Sequence, residues 1–313
     1  MPRVGQGSIH LFRAAGIDIY LHWSWFVVAV FEIGSRSGRY SSPIWNTLEY
    51  IFLFGIVLLH EFGHALACRQ VGGTADRIML WPLGGVAYVN PPQRPGATLW
   101  SIAAGPLVNV ALLPVLAAAG WMGRTLGWAD TRPDAYHLLV WLLIINGLLL
   151  CFNILPIYPL DGGQILRSLL WFFMGRARSL MVAAVFGMFG AVCFVAYALW
   201  RGSSWLVLMA AFMLMSCWNG MKNARSLLRS EKLARRFGAA CPGCGTSPPL
   251  GAFWKCNACG KGFDTFDTHA VCPKCGAQYP ITMCIECRRS FPMDNWIAQA
   301  FSGVSAGDSA DPK

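Results

Sequence analysis

Five consecutive residues, His60-Glu61-Phe62-Gly63-His64, carry the chemistry of this chain. On a helix, two histidines four apart share one face, so both rings can reach a single metal. Glu61 between them is placed to take a proton from water activated at that metal. With six His and five Glu in 313 residues, a chance HExxH is improbable. The motif sits inside an apolar run over residues 44–68, whose one other carboxylate is Glu49. Ionisable groups at membrane depth are costly and mark function.

A second stretch, residues 153–163, ends the fourth apolar run with Pro156, Pro159, Asp161, Gly162 and Gly163. Two prolines and two glycines interrupt a regular helix. An unwound segment carrying an acid is suited to supply a third ligand, because zinc hydrolases commonly combine two His with a carboxylate. Asp161 is the expected third ligand, the competing reading being a helix-capping acid.

A third set lies near the C-terminus. Cys241/Cys244, Cys256/Cys259, Cys272/Cys275 and Cys284/Cys287 form four C-x-x-C knuckles, three of them followed by Gly. The expectation is two structural zincs, with sequential sites Cys241/244/256/259 and Cys272/275/284/287 in a double zinc ribbon. Pairing Cys256/259 with Cys272/275 is the alternative. A domain this small has almost no core without its metal. His269 reads as a loop residue, and Cys68, Cys151, Cys193 and Cys217 as apolar core. Phe253, Trp254, Phe263, Phe266, Tyr279 and Phe291 either pack the ribbons or form a face for a cytoplasmic protein partner.

The elements that position these residues follow from composition. The chain is 55% hydrophobic and 13% charged, with mean hydropathy +0.46, outside the range of ordinary soluble proteins. Six apolar runs are candidate spans: 17–33, 44–68, 97–122, 136–155, 180–200 and 203–218. No small-residue cleavage site follows the first, which reads as a retained span. His22, beside Trp23 and Trp25, reads as an interfacial residue. The expected fold is therefore an α-helical polytopic membrane protein of about six transmembrane helices, with a cytoplasmic zinc-ribbon domain. Six spans bring the ends of spans two and four to one face, where His60, His64 and Asp161 could meet. His60 would lie about 13 Å below the nearer boundary.

The formal net charge of +10 gathers on the side holding both termini, including Lys222, Arg225, Arg229, Lys232, Arg235 and Arg236. This bias predicts cytoplasmic termini in a multi-pass cell-membrane protein. The cluster reads as a lipid-facing anchor. Thiolate zinc sites would lower the charge to roughly +6, so a nucleic-acid partner is not needed. The reducing cytoplasm also favours zinc over disulfides for the knuckles. Residues 71–90, with paired glycines between β-prone runs, read as a small membrane-associated β-hairpin able to offer an edge strand to a peptide, the competing reading being a surface loop. Gly63 leaves room for a close helix neighbour. Asn109 is expected to bond to a neighbouring helix. The predicted divisions are 1–222 (membrane domain), 223–240 (basic linker), 241–291 (ribbons) and 292–313 (disordered tail).

HEFGH in an early span, together with Asn153-Ile154-Leu155-Pro156-Ile157-Tyr158-Pro159-Leu160-Asp161-Gly162, resembles the site-2 proteases, zinc metalloproteases that cut within the membrane. Their second motif reads NxxPxPxLDG in one branch, and here the proline placement differs slightly. Gly105-Pro106-x-x-Asn109 and His22-Trp23-Ser24-Trp25 are also similar to that family. The resemblance covers roughly residues 9–220. It implies that His60, His64 and Asp161 bind the catalytic zinc, that Glu61 is the catalytic carboxylate, and that Asn153 sits near the metal and helps hold substrate. It further implies a membrane-protein substrate with a transmembrane segment, and the compact branch without a PDZ-like insert. Two other classes use the same ligands, a zinc transporter or sensor and a non-proteolytic zinc-binding adaptor. An intact Glu61 argues against an adaptor, since binding alone does not need it.

Overall fold

The computed structural model describes residues 7–35, 38–81, 84–287 and 289–302. The chain divides into two units, residues 1–225 and 226–313.

The first unit opens with strands β1 (Ser8–Ala14) and β2 (Ile17–His22), joined across Ala15-Gly16, both at positive φ. Helix α1 (Ser24–Ser35) and helix α2 (Pro43–Gln70) follow, then β3 (Thr74–Trp81) and β4 (Gly84–Asn90). The four strands form one sheet in the order β1-β2-β3-β4, antiparallel except for β2 against β3. The expected hairpin is thus present as β3–β4, inside a larger sheet. The proposed first span does not hold. Ile17, Ile19 and Leu21 are buried while Asp18, Tyr20 and His22 alternate with them, which is the period of a half-buried strand. Those three side chains pack on Ala65 and Cys68 of α2, so the sheet is fixed to the helix that carries the histidines. The 12-residue α1 is about 18 Å long, too short to cross a bilayer alone.

Helix α3 (Pro95–Thr125), the short α4 (Trp128–Thr131), α5 (Pro133–Ile154), α6 (Asp161–Met174), α7 (Arg176–Trp200) and the part of α8 (Ser204–Glu231) up to Arg225 complete this unit. Among the described residues α2, α3, α5 and α7 are long and apolar enough to cross a membrane, four helices where six spans were expected. The sixth expected span falls in α8, whose apolar first half gives way to Lys222, Arg225 and Arg229. Sequence punctuation sets the long helices: α2, α3 and α5 each begin with proline at the first turn, and Ser42 caps α2 by accepting the Ile44 N–H. Gly63 of α2 lies so close to α3 that a Cβ there would come within 2.7 Å of the Ala104 carbonyl oxygen. Glu49 is buried but partnered, accepting the Tyr40 hydroxyl at 2.6 Å and facing Arg39 at 3.7 Å.

The second unit is built on its cysteines. Strands β5 (Trp254–Lys255) and β6 (Gly262–Phe263) form one hairpin, and β7 (Ile281–Met283) pairs with β8 (Ser290–Pro292). All twelve cysteines are free thiols. The sulfurs gather as Cys241/244/284/287 and Cys256/259/272/275, so the sequential assignment is overturned in favour of a nested one. All four knuckles share one backbone turn, so the pairing follows from contacts between them: Tyr279 accepts the Asn257 N–H and donates to Cys256 Sγ at the inner site, while Trp296 packs on Cys241 and Cys284 at the outer one. Gly245, Gly260 and Gly276 follow three knuckles because each turn needs φ near +70°. His269 belongs to neither cluster.

Residues 293–302 of the expected disordered tail form helix α9 (Met293–Ser302), and residues 303–313 lie outside the described part. Trp296 of α9 is buried against Cys241, Cys284, Phe266 and Phe291 and is the core of the outer site. Arg235 and Arg236, read from sequence as part of a lipid anchor, belong to the ribbon instead. Arg235 pairs with Glu286 at 2.8 Å, and Arg236 with Asp264 and Asp267 at 2.9 and 2.7 Å. Most of the ribbon aromatics also face inward, Phe253 staying 43% exposed. Of the other cysteines Cys68 and Cys217 are core, whereas Cys151 and Cys193 are exposed.

Candidate metal centre

Helix α2 presents His60, Glu61 and His64 at one level, all at least nine-tenths buried. Asp161 arrives from the break between α5 and α6. Pro156 and Pro159 end α5, and the backbone folds so tightly that a Cβ on Gly162 or Gly163 would collide with the carbonyls of Ile154, Leu155 and Ile157. The turn delivers Asp161 as the first residue of α6. Its Oδ2 lies 3.0 Å from His60 Nε2 and 3.4 Å from His64 Nε2, and the two Nε2 atoms are 3.1 Å apart. The sequence places these three residues together on face counting alone, and the structure brings them together.

Hydrogen bonds on the far side of each ring decide which nitrogens are available. The Ser101 carbonyl can only accept, so His64 Nδ1, 2.9 Å away, carries a proton and Nε2 is left with a lone pair. For His60 the chain of reasoning is longer. Asn146 donates through Nδ2 to the backbone oxygen of Asn109 at 2.9 Å, which turns Asn146 Oδ1 towards Asn109 Nδ2 at 2.8 Å. Asn109 Oδ1 must then face His60 Nδ1, 2.5 Å away, which therefore donates. Two ring lone pairs and a carboxylate oxygen converge, and a cation satisfies all three. A zinc held at about 2.0–2.1 Å in a tetrahedron separates its ligand atoms by about 3.3 Å, close to the observed spacings. The donor set fits zinc, with a coordination position left open.

Two glycines let other elements close on the centre. A Cβ on Gly105 of α3 would fall into the His64 ring and within 2.8 Å of His60 Nε2. A Cβ on Gly85 of β4 would collide with the Glu61 side chain. The neighbouring Ala87 N–H donates to Glu61 Oε2 at 2.7 Å, so β4, an outer strand of the sheet, lies directly against the carboxylate. Asn153 occupies the last turn of α5, half-buried, and is not among the residues bonded to the three ligands. Asn146 was missed from sequence, although an amide in the apolar run 136–155 is itself a signal. Asn109 bonds to a neighbouring helix as expected and also to a ligand.

The ribbon sites pass a similar test. Opposed sulfurs stand 3.6 and 3.8 Å apart in the outer site and 3.5 and 3.6 Å in the inner one. These are far from a disulfide and near the roughly 3.8 Å edge of a tetrahedral zinc–thiolate site. In the inner site the Tyr279 hydroxyl donates to Cys256 Sγ at 3.1 Å and pulls that thiol down to about 6.

Comparison with known proteins agrees with this centre. The profile of peptidase family M50 matches residues 49–126 and 124–197. The chain is 34% identical over 205 residues to zinc metalloprotease MJ0392 of Methanocaldococcus jannaschii, covering 66% of this chain and 58% of the relative. It is 31% identical over 227 residues to putative zinc metalloprotease Rip3 of Mycobacterium tuberculosis, covering 66% of this chain and 57% of the relative. The matches thus span somewhat under three-fifths of these curated relatives. The solved site-2 protease from M. jannaschii superposes with a TM-score of 0.50 at 30% identity, covering 68% of this chain and 95% of that one. With both motifs converging on one buried centre inside the matched region, this chain belongs to peptidase family M50, the site-2 proteases.

Proposed function

We propose that the chain is an intramembrane zinc metalloprotease that hydrolyses peptide bonds in or near the transmembrane segments of membrane-protein substrates. The observation that carries this reading is Glu61, held by the Ala87 N–H of an outer strand and flanked in sequence by two converging metal ligands. Binding alone does not require a carboxylate at that point.

His60, His64 and Asp161 would hold zinc, which supplies Lewis-acid polarisation of the scissile carbonyl and lowers the pKa of the attacking water. Glu61 accepts the water's proton and delivers it to the leaving amine. The Asn109–Asn146 pair and the Ser101 carbonyl hold the two rings in the ligating tautomer. A helical substrate segment must unwind before its carbonyl is accessible, and β4 offers an extended edge beside Glu61 to receive it. Asn153, matching the first residue of the family's second motif, is assigned to holding substrate near the metal.

Both termini are placed in the cytoplasm on the arginine bias of the loops. The ribbons are assigned a protein partner, supported by exposed Ile281 and Met283 on β7. The deciding experiment is Glu61→Gln in the full chain. Zinc content is expected to stay unchanged while cleavage of a membrane substrate is abolished, and retained cleavage overturns the assignment.

A further inference from the structure

At the junction of α6 and α7, two guanidinium groups share one indole. The Arg167 guanidinium carbon lies 5.9 Å and that of Arg176 6.0 Å from the centre of the Trp171 ring. Their like charges oppose each other. The Nε of each is shut off from solvent without a hydrogen-bond acceptor. Among the described residues neither meets a carboxylate, whereas Arg39, Arg69, Arg235 and Arg236 each do. Two cations held together without a counter-charge call for an anion.

The surroundings indicate which anion. Helix α7 starts at Arg176 behind Gly175, which offers no side-chain cap, so its first backbone N–H groups add partial positive charge. The last turn of α6 carries Phe172 and Phe173, exposed by 55% and 88%. An apolar, outward-facing pair beside an unneutralised cation pair matches a molecule with both an anionic head and hydrocarbon chains. Two guanidinium forks suit the two free oxygens of a phosphodiester. A zwitterionic headgroup would bring its own cation into the same field, so a net anionic lipid is favoured.

We propose that Arg167, Trp171 and Arg176 bind the phosphodiester headgroup of an anionic phospholipid, whose chains lie against Phe172 and Phe173. The site lies apart from the metal centre, yet Asp161 is the first residue of α6, so this lipid tethers the far end of the helix that carries the third ligand.

The test uses the full chain in nanodiscs of phosphatidylcholine with a minority of phosphatidylglycerol, followed by native mass spectrometry of the lipid retained after extraction. The wild type is expected to retain phosphatidylglycerol over phosphatidylcholine by about tenfold. Arg167→Gln/Arg176→Gln should lose that preference, and Arg124→Gln should keep it. Arg176→Gln alone, at the helix junction, serves if the double variant is not monodisperse and should reduce the preference severalfold. Arg167→Lys/Arg176→Lys should fall between, because charge persists while the fork is lost. Equal retention of the two lipids, or a preference untouched by these substitutions, overturns the proposal. So does displacement of the lipid by millimolar inorganic phosphate, which would identify a soluble phosphate as the occupant.

Discussion

Asn109 Oδ1 stands 2.5 Å from His60 Nδ1, and the direction of that bond is set by the amide of Asn146 on a different helix. Both amides are fully buried, so neither can rotate freely or exchange its partner for water. Asn146→Ala removes the acceptor that orients the Asn109 amide, letting it flip and present NH2 to His60. The expected result is a fall of about 10–100-fold in zinc affinity or activity, the usual cost of losing such support. Competition with a graded chelator measures the affinity. Unchanged zinc retention and turnover in this variant would remove the relay from the account.

Gly85 makes a sharper test of the strand against the carboxylate. Gly85→Val forces β4 or Glu61 aside without touching a ligand. Zinc content should be kept while kcat/KM falls by about 100-fold, the scale expected for an ångström of misplacement. Val86→Ala, one residue along on an exposed side chain, should leave the rate within a few fold.

Nested ribbons make a stoichiometric prediction that sequential ribbons do not share. Cys244→Ser/Cys284→Ser damages one site and Cys244→Ser/Cys256→Ser damages both. Elemental analysis of the 226–313 fragment should find one zinc in the first variant and none in the second. The sequential arrangement requires the reverse.

Asp264 ties the linker to the ribbon. Burial raises its carboxyl, but the N–H groups of Gly251 and Phe266 and the guanidinium of Arg236 outweigh this and hold it below the ordinary value. Asp264→Ala strands those donors and should destabilise the zinc-loaded ribbon by about 1–3 kcal/mol, read as a lowered Tm. The sign follows from the depressed carboxyl: the stabilisation is complete above its ordinary pKa near 4 and fades as pH falls through the lower folded value. The deficit of the variant should therefore be constant between about pH 6 and 8.

Much of the metal centre was legible because its signals are short-range and chemical. HExxH fixes two ligands by helical spacing, and the proline-glycine break marks the third. What escaped depends on contacts across the chain. Ile17, Ile19 and Leu21 give the hydropathy of a span start, and only their alternation with Asp18, Tyr20 and His22 reveals a strand. The cysteine pairing escaped because four equal knuckles carry no address; the contacts that decide it, Tyr279 with Asn257 and Cys256 and Trp296 with Cys241 and Cys284, are tertiary. Asn146 escaped because its role exists only once α3 and α5 are side by side. The helix at 293–302 hinged on Trp296 finding Cys241 and Cys284, a tertiary event.

The concentric order of the cysteines also dictates a sequence of assembly. The inner pairs are separated by a short loop and can meet while the rest of the segment is still a coil, whereas the outer pairs must close a ring several times longer. Once the inner ion has shortened that ring, the outer one closes at lower entropic cost. Under scarce zinc the ribbon should therefore fill from the centre outwards, leaving partly loaded molecules with α9 and Trp296 undocked.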